Sequence, residues 1–127
     1  MNTKNIHALN WFEIHVANLQ RARQFYETIL QISMEEVMVG DIPEIVFPFD
    51  RTQGGVGGSI LKSNTPPPGG GGTLIYLNVE GDLDEVLSRI SGAGGTVTKP
   101  RTAIGPYGFI GIIKDTEGNS IGLHSRT

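Results

Sequence analysis

Trp11, Glu13 and His15 alternate along the stretch WFEIHV, and Leu74, Tyr76 and Asn78 alternate along LIYLN. A strand turns successive side chains to opposite faces, so each trio shares one face. Gly122 and His124 do the same in SIGLH. The chain has no cysteine, which excludes thiol nucleophiles, thiolate metal sites and disulfides. These faces would gather an indole, a carboxylate, two imidazoles, a phenol and an amide. Glu13 sits between Phe12 and Ile14. A carboxylate held among apolar neighbours titrates high, because desolvation disfavours its charged form. Beside Tyr76 or His124 it would serve as a general base. Glu13, His15 and His124 could also build a displaced divalent-metal site. Each residue has a structural role to weigh against this: Glu13 as a buried carboxylate bonded to a backbone N–H or to Tyr76, His15 and Asn78 as strand-end groups, Trp11 and Tyr76 as core.

The elements that must position these groups follow from the pattern. Trp11 to Val16 reads as a strand rich in aromatic and β-branched residues. Asn18 is placed to cap a helix over Leu19 to Leu30, whose Leu19, Ala22, Phe25, Tyr26 and Ile29 share one face. Strands are expected over Ser33–Val39, over Glu44–Phe49 with Pro48 at an edge or bulge, and over Gly57–Lys62. Ser63 to Gly72, SNTPPPGGGG, reads as a linker. Beyond it come a strand at Thr73–Val79, a helix capped by Asp82 with Leu83, Val86, Leu87 and Ile90 on one face and ended by Gly92 or Gly94, and strands at Thr96–Thr98, Phe109–Lys114 and Ser120–His124. Both halves thus read strand–helix–strand–strand–strand, at an offset that superposes Val16 on Val79.

Composition narrows the function. The 127 residues suit one compact domain, and the net charge of −3 carries no basic footprint for nucleic acid. No apolar run is long enough to span a bilayer, and no signal-peptide core is visible at the N-terminus, so a cytoplasmic location is expected. Eighteen glycines fall in small groups without a GxxxxGK[ST] loop. They read as turns and bulges of a bent sheet.

The duplicated pattern resembles the vicinal oxygen chelate superfamily, which includes glyoxalase I, bleomycin-resistance proteins and extradiol dioxygenases. The opening WFEIHVANLQRARQFYETIL, the second-half VEGDLDEVLSRISGAGGTV and the closing KDTEGNSIGLHS carry the resemblance, with Thr116 where the family's turn usually has proline. It implies an α+β fold: two βαβββ modules (about residues 10–62 and 73–127) forming a curved mixed eight-stranded sheet around a concave pocket, with two main helices outside. It also implies metal ligands at inward strand positions. Those positions fall on Trp11, Leu74 and Gly122, with a fourth near Gly58 to Leu61. None of the three assigned residues is a ligand for a divalent ion, so no cofactor is expected at the usual place.

If Trp11 faces inward, Glu13 and His15 follow, as do Tyr76 and Asn78 with Leu74, and His124 with Gly122. The expectation is a small-molecule pocket with Glu13, His124 and Tyr76 as candidate catalytic groups, lined by Trp11, His15, Leu74, Asn78 and Gly122. The alternatives are a lyase, isomerase or dioxygenase working through Glu13 with His or Tyr or a relocated metal, and a structural or partner-binding module. Arg101 and Tyr107 in PRTAIGPYG are candidates for a lid. Open sheet edges, with Phe25 and Tyr26 on the first helix, favour a homodimer.

Overall fold

A computed structural model describes residues 7–63 and 72–127. The linker, apart from Ser63 and Gly72, lies outside the described residues. In chain order the elements are β1 (Leu9–Val16), α1 (Leu19–Leu30), β2 (Glu35–Val39), β3 (Ile42–Val46), β4 (Gly57–Lys62), β5 (Thr73–Asn78), α2 (Leu83–Arg89), β6 (Thr96–Ala103), β7 (Phe109–Lys114) and β8 (Ser120–Ser125). One-turn 3-10 helices sit at Arg51–Gln53 and Gly105–Tyr107.

The eight strands form one curled, half-barrel sheet in the order β2-β3-β4-β1-β5-β8-β7-β6. Within each half, the first strand pairs in parallel with the last: β1 with β4 and β5 with β8. The halves join where β1 and β5 run antiparallel, with Trp11 opposite Tyr76 and Glu13 opposite Leu74. Each half is therefore the same βαβββ unit, and the two meet about an approximate two-fold at the β1–β5 seam.

The strand period divides the core between the two faces. On the outer face of the first half, Ile14, Ile45, Ile60 and Phe47 pack with Leu19, Ala22 and Tyr26 of α1. In the second half Val79, Ile113 and Leu123 pack with Leu83, Val86 and Leu87 of α2. On the inner face, Leu74, Tyr76 and Ile110 pack with Trp11, Ile104 and Ile112.

Asn18 caps α1 as expected, its side-chain oxygen accepting from the Arg21 N–H at 3.0 Å. The apolar stripe of α1 is wider than its contact with the sheet. Tyr26 meets Phe47 edge-on, while Phe25 and Ile29 each stay 56% exposed.

Several boundaries differ from the expected ones. β3 runs from Ile42, so Pro43 lies inside it and Pro48 beyond it. Pro43 is tolerated because it pairs with Met38 of the edge strand β2, at the outer end of the ladder. Asp82 holds the N-cap position of α2 without a side-chain cap bond, and the helix closes at Arg89, before either glycine. β6 extends through Ala103, so the expected lid residue Arg101 belongs to the edge strand. There its guanidinium lies 4.0 Å from the Phe109 ring centroid and 3.3 Å from Asp84. Those contacts tie Arg101 to the α2 side of the sheet.

Candidate functional site

Alternation along β1 places Trp11, Glu13 and His15 on the concave face, opposite Phe12 and Ile14 on the helix side. The pairing of Glu13 with both Ser59 of β4 and Leu74 of β5 puts it at the middle of the sheet. The Tyr76 hydroxyl hydrogen-bonds to the Glu13 carboxylate. From the other side, His15 Nε2 lies 3.2 Å from Glu13 Oε1. A carboxylate acceptor there makes Nε2–H the donor and leaves Nδ1, which is buried and without a hydrogen-bond partner.

A second carboxylate stands in the same region. Glu44 of β3 is buried and accepts a 2.5 Å hydrogen bond from the Ser59 hydroxyl, itself fully buried. The chain therefore holds two carboxylates, Glu13 and Glu44, on either side of Ser59 under the half-barrel. Burial, and then the negative charge of Glu44, push Glu13 from the ordinary 4.5 up to about 7; the Tyr76 bond and Lys99 of β6 oppose the rise. Burial also raises Glu44, against the Ser59 bond. Tyr76 is raised by burial and by the adjacent Glu13 charge, so it stays a neutral donor. His15 is lowered by burial and stays uncharged near neutrality.

The remaining expected residues separate. Gly122 lies beneath the Tyr76 ring, which occupies the space a side chain would need. Trp11 meets Phe49 edge-on at 5.7 Å between centroids, and the Phe49 ring in turn covers Gly57. Asn78 accepts from the Glu80 N–H at 3.1 Å, closing the turn after β5. His124 shares the concave face with Gly122, but its ring is held at Nδ1 by the Asn10 amide and at Nε2 by the Tyr107 carbonyl, 2.7 Å away. Of the two expected partners of Glu13, Tyr76 is bonded to it and His124 is held elsewhere, while His15 supplies a further contact. Tyr107, expected in a lid, instead fixes this histidine through its backbone.

Glu44 and Ser59 were not singled out from the sequence. The available signal was a lone glutamate inside IPEIVF, two residues before Val46 on the same strand face.

The approximate two-fold locates the fourth ligand position of the resemblance. Gly122 pairs with Tyr76 in the second half as Ser59 pairs with Glu13 in the first. The four positions are therefore Trp11, Ser59, Leu74 and Gly122. They offer one hydroxyl, already given to Glu44, and no imidazole, carboxylate or amide. Among the described residues no three of His, Cys, Asp and Glu are grouped to hold a metal ion. The superfamily's usual metal does not fit this donor set.

A curled sheet of paired βαβββ modules with polar groups on its concave face defines a vicinal-oxygen-chelate-type protein. The chain matches the model of the Glyoxalase/Bleomycin resistance protein/Dioxygenase superfamily over residues 8–123, and it belongs to that superfamily. No curated protein matches it. Solved structures share its fold. Methylmalonyl-CoA epimerase from Mycobacterium tuberculosis is 20% identical, with 100% of this chain and 93% of that one covered and a TM-score of 0.63. A methylmalonyl-CoA epimerase in complex with methylmalonyl-CoA and NH4+ is 15% identical, with 93% of each chain covered and a TM-score of 0.65. A hypothetical protein from Bacillus halodurans is 13% identical, with 94% of each covered and a TM-score of 0.66. Among the described residues no helix is long and apolar enough to cross a membrane.

Proposed function

We propose that this chain binds a small molecule against its concave face without the superfamily's usual metal, and that Glu13 exchanges a proton with it. The observation that carries this reading is the largely enclosed Glu13 carboxylate, hydrogen-bonded to Tyr76 and on the same face as the buried carboxylate of Glu44. Burying a carboxylate costs stability unless the group is well paired. None of the ion pairs among the described residues joins Glu13 or Glu44 to a lysine or arginine. A module serving only architecture has no use for such a pair, which weighs against the structural alternative.

The reaction class is isomerase- or lyase-type proton transfer at a carbon acid. The ionised Glu13 takes a proton from carbon next to a carbonyl, the electron pair moves to the carbonyl oxygen, and the protonated Glu13 returns the proton to carbon. An acid with its midpoint near 7 suits both directions at neutral pH. Tyr76, kept neutral, contributes an O–H donor on the same face. Likeness to methylmalonyl-CoA epimerases supports this class but does not name the substrate.

The test is deuterium wash-in. Small 2-oxo acids, 2-hydroxy ketones and acyl thioesters are incubated with protein in D2O and followed by proton NMR. Exchange at the α-carbon by the wild type and its loss in Glu13→Gln are expected. Binding without exchange for every compound that binds would leave a sequestering protein instead. That second reading is favoured by the ring platform of Trp11 and Phe49, over which Arg51 sits 5.6 Å from the Phe49 centroid.

The same proposal includes a homodimer in the cytoplasm with no nucleic-acid partner. Exposed Phe25, Ile29 and Leu30 on α1 and Met38 and Ile42 near the β2 edge support the dimer, which light scattering after gel filtration would detect.

A further inference from the structure

We propose that Glu44, anchored by Ser59, is a positioning residue for Glu13: the two carboxylates on this face titrate as a coupled pair, and this lets Glu13 both take up and give back a proton. The inference deepens the proton-exchange reading and rests on it only for its purpose. It starts from register. Ser59 is the β4 partner of Glu13 in the parallel β1–β4 ladder, and it lies between Leu61, which faces Glu44, and Gly57. Its hydroxyl turns to Glu44, not to Glu13. Glu44 is therefore fixed one strand beyond Ser59, on the same face of the half-barrel as Glu13.

The groups that face Glu13 are few. They are His15 on β1, Glu44 on β3, Tyr76 on β5 and Lys99 on β6. Ser59, Leu74 and Gly122 complete the surroundings and do not titrate. His15 is neutral and Tyr76 does not ionise in the working range, so they orient Glu13 without changing charge. Lys99 alone brings positive charge, and it is not within ion-pair distance of either carboxylate. Two like charges in a poorly solvated site cannot both form easily, so such a pair loses its protons in two separated steps. Glu44 is thus the one neighbour whose state sets that of Glu13. The Ser59 bond favours the ionised form of Glu44, so the first proton bound by the pair goes to Glu13.

The test is a carboxyl 13C NMR titration of glutamate-labelled protein without ligand, with the Glu13 resonance assigned by its loss in Glu13→Gln. In Glu44→Gln, whose amide oxygen can still accept from Ser59, the Glu13 proton affinity is expected to fall about tenfold, one pH unit. Ser59→Ala removes the bond that favours ionised Glu44, so Glu44 keeps its own proton to higher pH and Glu13 titrates lower, by less than in Glu44→Gln. It serves as the second variant if Glu44→Gln does not fold. A Glu44 that merely supports the fold would change the melting temperature and leave the Glu13 midpoint in place. An unmoved midpoint in either folded variant overturns the proposal. Because no ligand takes part, failure of the wash-in experiment leaves this titration informative, and the reverse also holds.

Discussion

Replacing Glu13 by glutamine turns the electrostatics of the site into a stability measurement. In the folded chain Glu13 binds its proton with a midpoint of about 7, against an ordinary 4.5. The raised value means that the folded state holds the proton more tightly than the unfolded chain. The associated stability is fully present below about pH 4.5 and is lost as pH rises through about 7. At about 1.4 kcal/mol per pH unit, the loss comes to about 3 kcal/mol above pH 8. With its side chain only 13% exposed, Glu13 is little screened by solvent. Glutamine keeps the shape, still accepts from Tyr76 and carries no charge. Glu13→Gln should therefore match the wild type near pH 4 and exceed it by about 3 kcal/mol near pH 8.5, roughly 10 °C in melting temperature for a chain of this size. Urea unfolding of both proteins across pH 4 to 8.5 reads the difference, and the titrations of groups that do not interact with Glu13 cancel. A gap that does not change with pH would refute the reasoning, because it would mean that Glu13 is solvated in the folded state; a gap that shrinks or reverses as pH rises would mean that a cation pairs with it.

Other consequences are simpler. Gly122→Ala would drive a methyl group into the Tyr76 ring and should cost about 1–3 kcal/mol in chemical denaturation. Phe49→Ala uncovers the single tryptophan, Trp11, and should shift its emission to the red; unchanged emission would mean that Phe49 does not cover it. Elemental analysis of protein purified without a metal-affinity tag should find no stoichiometric metal, and Zn²⁺, Ni²⁺, Mn²⁺ or Fe²⁺ should not raise the melting temperature. Stoichiometric metal lost in Glu13→Gln would move the chain to a chelate-type lyase or dioxygenase. Arg23→Ala removes a 2.6 Å bond to the Met34 carbonyl and frees Glu27, which accepts from the Met34 N–H at 2.8 Å, and should cost about 1 kcal/mol.

The duplicated fold was legible because it rests on local chemistry. A period of two along WFEIHV and LIYLN and a period near 3.6 along LQRARQFYETIL do not depend on distant residues. The cap at Asn18 and the positive φ of Gly94 and Gly118 are likewise decided by the residues themselves. So was the inward face of β1, once one residue of the alternating set was placed. The ends of β3 and β6 were not legible. Pro43 and Pro100 argue locally against a strand, and only their place on or beside a sheet edge makes them acceptable.

The composition of the site needed the tertiary structure. Glu13 was visible as a carboxylate among apolar neighbours, but Glu44 and Ser59 are 31 and 46 residues away and meet it only because β4 crosses to lie between β3 and β1. His124 and Asn78 carry the right chemical groups on the right face. Their bonds to Asn10, the Tyr107 carbonyl and the Glu80 N–H are set by how strand ends and turns come together. Alternation tells which face a side chain takes. Which neighbour it meets there depends on strand order and register, and those are settled by burying both faces of the sheet at once.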